Sequence, residues 1–277
     1  MAKVTTLPLP DSIRFAYPEK TKPISVTGTY CELDCAHCGG HYLKHMELLD
    51  TVSPAGTESG ASWLISGGCL ADGAVPVGPY LDRLREGKQH RRINMHAGLV
   101  SNTVIEHLSG VADCVSFDFV VDNETIKEVF GTSRTADDYV ACYQALKDKV
   151  KVVPHICIGL KGGEISGEYQ ALQQLRELGA EALTFIIFMP TRGTRYADKQ
   201  PPDLAATASL LSYARLTFPD IPLHLGCMRP GGRYREEIDK WAVRIGFDVI
   251  VNPAPAAVKL AERLGLCLSR GEECCVL

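Results

Sequence analysis

Eight short apolar runs recur along the chain, each followed by a helical pattern, and this alternation restricts the fold more than any other feature. The runs are "PISVTGTY", "SWLISG", "RINMHAG", "CVSFDFVV", "KVVPHICIGL", "ALTFIIF", "IPLHLG" and "FDVIVNP". They are near-continuous in hydrophobicity, as parallel strands covered on both faces must be. The helices between them carry start and stop signals. "TADDYVACYQALKD" opens on Thr135, an N-cap followed by acids, with Val140, Tyr143 and Leu146 at helical spacing. "GEYQALQQLRELG" sets Leu172, Leu175 and Leu178 on one face and stops at Gly179. "REEIDKWAVRIG" does the same with Ile238, Trp241, Ala242 and Ile245, and "PAPAAVKLAERLG" has prolines in its first turn and Gly265 at its end. Repeated strand–helix order implies a parallel sheet, and eight units favour a closed (β/α)8 barrel of the TIM type over an open sheet. A six-unit open barrel followed by a small C-terminal piece is the alternative. The 277 residues suit a barrel of about 250. The expected division is an N-terminal extension over 1–23, the barrel over 24–266 and a cysteine-rich tail over 267–277.

Composition excludes other classes. A net charge of -4 provides no basic stripe for nucleic acid. The first twenty residues lack a signal-peptide pattern, and "ALTFIIFMP", the most apolar stretch, is too short to cross a bilayer. A cytoplasmic protein with no membrane partner is expected.

Eleven cysteines is an odd and high number for a chain without a secretion signal, which argues against a disulfide framework. Three lie in "CELDCAHCGG" (Cys31, Cys35, Cys38), three near the other end in "CLSRGEECCVL" (Cys267, Cys274, Cys275), and five stand singly. Cys31, Cys35 and Cys38 follow the first strand, and in a (β/α) barrel that loop lies on the face where active sites are built. Structural zinc takes four ligands, usually as two pairs, and no partner pair is near. A [4Fe–4S] cluster also takes four cysteines as a rule, so three in one loop suggest a cluster with one iron open to chemistry. A structural zinc or electron-transfer site remains the alternative.

C-x3-C-x2-C after the first strand of a (β/α) barrel resembles the signature of the radical S-adenosylmethionine (radical SAM) enzymes. The resemblance implies that SAM chelates the open iron and is cleaved to a 5′-deoxyadenosyl radical that removes hydrogen from an unactivated carbon. It implies further that Ser66, Gly67 and Gly68 receive the SAM amino group, that Asp118 bonds the ribose and that Arg134 meets the carboxylate. His37 would pack near the adenine, and "ICIGLKGGE" would line its pocket. An acidic residue is usual after the two glycines; here Cys69 takes that place. Asp118 also reads as a buried, satisfied carboxylate, and Arg134 as a surface residue.

The motif order is most similar to the biotin synthase-like branch, including Pro190, Gly193 and Thr194 after the sixth strand. That branch includes biotin synthase, some lipoyl synthases, hydrogenase-cofactor maturases and methylornithine synthase. His224 and Cys227 stand where biotin synthase would have a cluster-binding arginine, with Arg229 further along. The tail cysteines Cys267, Cys274 and Cys275, with Ser269 as a possible oxygen ligand, suggest an auxiliary [4Fe–4S] cluster. The pattern is similar to one subunit of a two-protein lipoyl synthase. This implies sulfur insertion into an octanoyl chain on a carrier protein or peptide, a second radical SAM subunit, and an electron donor such as ferredoxin or flavodoxin. A maturase or mutase acting on a small molecule, an iron–sulfur scaffold, and a tail with redox-reactive thiols or zinc are the alternatives. His155 and His224 read as cavity-lining or core residues, and His41 and His45 as a solvated or capping pair.

Overall fold

The computed structural model describes residues 9–53 and 61–277; the first eight residues of the expected N-terminal extension lie outside them. Eleven strands form one sheet in the order β11-β1-β10-β9-β8-β7-β6-β5-β4-β2-β3. They are β1 (Ser12–Ala16), β2 (Thr21–Ser25), β3 (Glu47–Leu48), β4 (Ser62–Ser66), β5 (Arg92–Met95), β6 (Cys114–Asp118), β7 (Val152–Ile158), β8 (Leu183–Ile187), β9 (Leu223–Leu225), β10 (Val249–Val251) and β11 (Cys267–Gly271). Every pairing is parallel.

The connection between β1 and β2 shows that this sheet curls. The two strands stand eight positions apart in the sheet order, which in a flat sheet would be about 38 Å at about 4.8 Å per strand. Residues 17–20 alone join them, and such a link reaches about 18 Å at most. The sheet therefore wraps round until its two sides nearly meet, and residues 12–25 bridge the seam as one interrupted strand.

Eight helices follow the strands: α1 (Leu81–Lys88), α2 (Asn102–Leu108), α3 (Asn123–Thr125, continued by a π-turn over Ile126–Phe130), α4 (Ala136–Lys147), α5 (Glu168–Glu177), α6 (Leu204–Thr217), α7 (Gly232–Ile245) and α8 (Pro255–Arg263). Thr135 and Asp138 form a reciprocal capping box at the start of α4. Alternation sorts the strand side chains. Trp63, Ile65, Ile93, Met95, Val115, Phe117 and Phe185 belong to one large core shared with helix residues such as Leu84, Leu108 and Tyr143. Each fully buried side chain of this kind contributes about 1.5–3 kcal/mol. Gly87 lets α1 press on the sheet, since a Cβ there would lie 2.2 Å from the Trp63 ring. The alternate positions turn inward and are polar through the middle of the barrel: Asn94, Ser116, His155, Thr184 and His224 are all buried. Ser116 bonds Asn94 at 3.0 Å, Thr184 lies 3.4 Å from His224 Nδ1, and the His96 and His155 rings meet edge to face at 5.1 Å.

Besides the two-residue β3, two strands were not expected. β1 falls inside the supposed N-terminal extension, and β11 inside the supposed tail. They pair with each other from Ser12↔Cys267 to Ala16↔Gly271. Neither run stands out alone, because its hydrogen bonding is completed by strands from the other end of the chain, β10 and β11 for β1 and β1 for β11. After β11 the chain crosses the floor of the barrel, at the N-terminal ends of the strands. Cys274 N donates to Thr21 Oγ1 (2.8 Å), Lys151 Nζ donates to the Val276 carbonyl (3.0 Å), and Arg92 pairs with Glu273. Val276 packs against Cys114, Val153 and Ala182 on the inner wall, and Cys275 against Ala16, Val249 and Val251.

Candidate active site

The opposite end of the barrel holds a cavity of about 930 Å³, including its open mouth, lined by Cys31, Cys35, Cys38, His37, Gly67, Gly68, Cys69, His96, Ser116, Asp118 and Tyr139 among others. The loop after β2 carries its first wall and is tied down on three sides. Gly68 N donates to Thr27 Oγ1 (2.7 Å), Ala36 N to the Val129 carbonyl (2.7 Å), and Tyr196 N to the Ala36 carbonyl (3.0 Å). A single turn then brings the thiols together, with Cys38 N and Gly39 N both donating to the Cys35 carbonyl at 3.2 and 3.0 Å. The Cys35 thiol donates to Cys38. This holds the Cys38 thiol down to about 4, helped by His37, and pushes Cys35 up, with burial adding to the effect. One sulfur of the pair thus donates and the other accepts.

At the end of β4, Gly68 has no room for a side chain. A Cβ would lie 1.9 Å from the Tyr30 carbonyl oxygen and 2.6 Å from Cys31. This glycine is needed because the strand end lies directly on the cysteine loop. Ser66 closes the same strand, its carbonyl accepting from Val26 N at 2.8 Å. Asp118, the last residue of β6, is in register with His155 of β7. It is exposed, but into the cavity rather than to the outer surface. Burial pushes its carboxyl up, opposed by His155 and His37. The His37 ring stands edge-on to Phe130 at 6.1 Å, and its Nδ1 is buried without a partner.

Arg134 is not among the residues lining this cavity. Its Nε donates to the Asp72 carbonyl (2.9 Å) and its Nη1 to Asp138 (3.3 Å), so its guanidinium braces the start of α4. The "ICIGLKGGE" stretch lines a separate, smaller cavity of about 330 Å³ with Asp122 and Glu168. Sequence reasoning did not assign Tyr139, His96 and Ser116 to this site. His96 and Ser116 were legible as polar residues at alternate positions of apolar strands, whereas Tyr139 reads as an ordinary core residue of α4.

On the floor, Cys274 accepts from Asn94 Nδ2 at 3.4 Å. Its thiol is lowered to about 7, chiefly by a hydrogen bond from Cys275, which is raised. Cys267 does not join them: it is exposed at the start of β11, where its N–H donates to the Asp11 carbonyl at 2.8 Å. Cys114 is buried beside the tail, and Cys227 is exposed just beyond β9. Arg229 is committed elsewhere. It is 1% exposed and forms a two-pronged pair with Asp239 at 2.7 and 2.9 Å. Among the described residues no three His, Cys, Asp or Glu side chains are gathered closely enough to hold a single metal ion. That holds for Cys31, Cys35 and Cys38 as well as for the tail. A cubane cluster asks less of them, because its thiolates stand at separate corners rather than round one ion. Three thiols on one cavity wall fit that donor set.

No family model matches this sequence, and no curated protein matches it. Solved structures do. Methylornithine synthase (PylB) superposes with a TM-score of 0.66 at 16% identity, over 94% of this chain and 84% of that one. The FeFe-hydrogenase maturase HydG from Carboxydothermus hydrogenoformans gives 0.66 at 12% identity, over 94% and 68%. SuiB of Streptococcus suis, solved with S-adenosylmethionine bound, gives 0.57 at 16% identity, over 85% and 58%. The chain has the fold of these proteins. Among the described residues no helix is long and apolar enough to cross a membrane.

Proposed function

We propose that the protein is a radical SAM enzyme that inserts sulfur into an unactivated C–H bond, with an octanoyl chain on a carrier protein or peptide as substrate. The fold shared with methylornithine synthase and HydG, two members of the branch its motifs resemble, supports the first part. One observation carries the second. β6 runs from the floor to the cavity, placing Cys114 beside the tail thiols and Asp118 on the cavity wall, four residues apart on one face. At about 3.3 Å per residue this separates the two ends by about 13 Å, and a substrate carbon can lie between them.

In this reading Cys31, Cys35 and Cys38 hold a [4Fe–4S] cluster, and Cys274 and Cys275 contribute to a second one. Bound there, the first cluster with SAM and an electron would supply the 5′-deoxyadenosyl radical, and the second would supply sulfur. The chain does the rest. Gly67 and Gly68 bring backbone carbonyls within reach of the SAM amino group, Asp118 accepts from the ribose hydroxyls, and His37 sits beside the adenine. The barrel wall excludes water and oxygen. Cys267 and Arg134 would need to leave their observed partners to take part. The partners that accompany this reading are a ferredoxin- or flavodoxin-type donor and a second radical SAM subunit.

A second reading is a mutase or maturase acting on a small polar molecule. The inward ring of Asn94, Ser116, His155, Thr184 and His224 favours it, because an alkyl chain gains nothing from hydrogen-bonding walls. The experiment is anaerobic incubation of reconstituted protein with SAM, reductant and octanoyl-lysine peptide, alone and with a candidate partner subunit. A thiolated octanoyl product supports the proposal. Release of 5′-deoxyadenosine with the peptide untouched moves the assignment to the second reading.

A further inference from the structure

The upper cavity holds a fourth thiol that the three-cysteine motif does not use. Cys69 follows Gly68 at the end of β4 and lines the cavity with Cys31, Cys35 and Cys38. Its backbone is fixed against the cysteine loop: its carbonyl accepts from Glu32 N at 2.8 Å and lies 3.8 Å from Cys31 Sγ. The tight approach of Gly68 to Tyr30 and Cys31 leaves this strand end no freedom to retreat. An iron corner left open by three cysteines is the soft acceptor that would take the sulfur of a fourth.

We infer that Cys69 ligates the open iron of the cluster in the SAM-free enzyme and surrenders it when SAM binds. This rests on the reading of Cys31, Cys35 and Cys38 as cluster ligands. The exchange balances without any change of oxidation state. The thiol releases a proton to water as its sulfur binds iron; on displacement by the amino and carboxylate groups of SAM, the iron–sulfur bond breaks and the sulfur takes a proton back. Closing the resting site in this way lowers the fraction of enzyme ready for SAM, so the apparent affinity for SAM is weaker than the intrinsic one by that fraction.

The test uses the full chain carrying Cys274→Ala and Cys275→Ala, so that the motif cluster is observed alone, reconstituted with ⁵⁷Fe. Cys69→Ala and the near-isosteric Cys69→Ser are compared with the parent by Mössbauer spectroscopy and by SAM titration. Without SAM, the parent should show four equivalent thiolate-ligated irons and each variant one distinct iron; with SAM, all should show one distinct iron. The variants should bind SAM about tenfold more tightly and lose iron to a chelator faster. Identical SAM-free spectra with unchanged SAM affinity would overturn the ligand while leaving the cluster reading intact. Failure of the parent to assemble any four-iron cluster would overturn both.

Discussion

The two ends of the barrel hold thiol pairs with the same local chemistry and opposite architecture. At the top, Cys38 is lowered and Cys35 raised; on the floor, Cys274 is lowered and Cys275 raised. In each pair one sulfur donates to the other; burial adds to the rise of the donor and opposes the lowering of the acceptor. The top pair sits on a short loop locked by glycine close packing and faces an open cavity. The floor pair arrives on a segment from the far end of the chain, held by an edge strand, an exposed ion pair and a few backbone bonds. The two pairs thus share their local chemistry but not their setting: Cys35 and Cys38 line the upper cavity with His37 and Asp118, whereas on the floor Cys275 borders a separate cavity with Lys151 and His224.

The largest effect that separates the ends is loss of function. Cys35→Ala should abolish 5′-deoxyadenosine formation in anaerobic assays, by at least about a thousandfold, whereas Cys267→Ala should leave it unchanged. Equal losses would end the distinction. Next, Cys274→Ala with Cys275→Ala should remove about half of the iron expected for two four-iron clusters. SAM cleavage should survive. Iron analysis that finds no decrease would leave the floor as a packed plug and nothing more.

The third contrast is steric. Gly68→Ala should destabilise the protein by about 3 kcal/mol or more in chemical denaturation, because overpacking against fixed backbone cannot be relieved by a side-chain rotation. A change under about 1 kcal/mol would show that the strand end and the loop are less tightly coupled than the 1.9 Å approach implies. The smallest concerns the histidines between the two ends. Burial lowers His96 and His155 to about 4 and His224 to about 3. Between about pH 6.5 and 4 the unfolded chain therefore binds protons that the folded one refuses, so stability is full above that window and falls as pH drops. In iron-free protein each histidine should cost about 1.4 kcal/mol at pH 5.5 relative to pH 7.5. A flat profile would mean that water reaches the three rings.

The same contrast explains what the sequence made legible. The upper site is written in one stretch: a strand, three cysteines at fixed spacing, and a glycine pair one strand later. The eight main strands were readable because each is a predominantly apolar run, and α4, α5, α7 and α8 because their caps stand beside their apolar stripes. β1 and β11 were not readable, since "SIRFA" and "CLSRG" alternate weakly and become strands only through partners from distant parts of the chain. Spacing grouped Cys267 with Cys274 and Cys275, yet seven residues of strand and turn carry the chain from the outer edge to the inner floor. Arg134 looked available because its partners, Asp72 and Asp138, lie on different elements.

The seam between β1 and β2 has a consequence for the order of events as the chain folds. The interrupted strand that leads into the cysteine loop pairs with β3 and β4 along β2 and with β10 and β11, the last strands made, along β1. Loop closure over so long a stretch is slow relative to local pairing. The interrupted strand before Cys31, Cys35 and Cys38 is therefore complete only once the final strands dock.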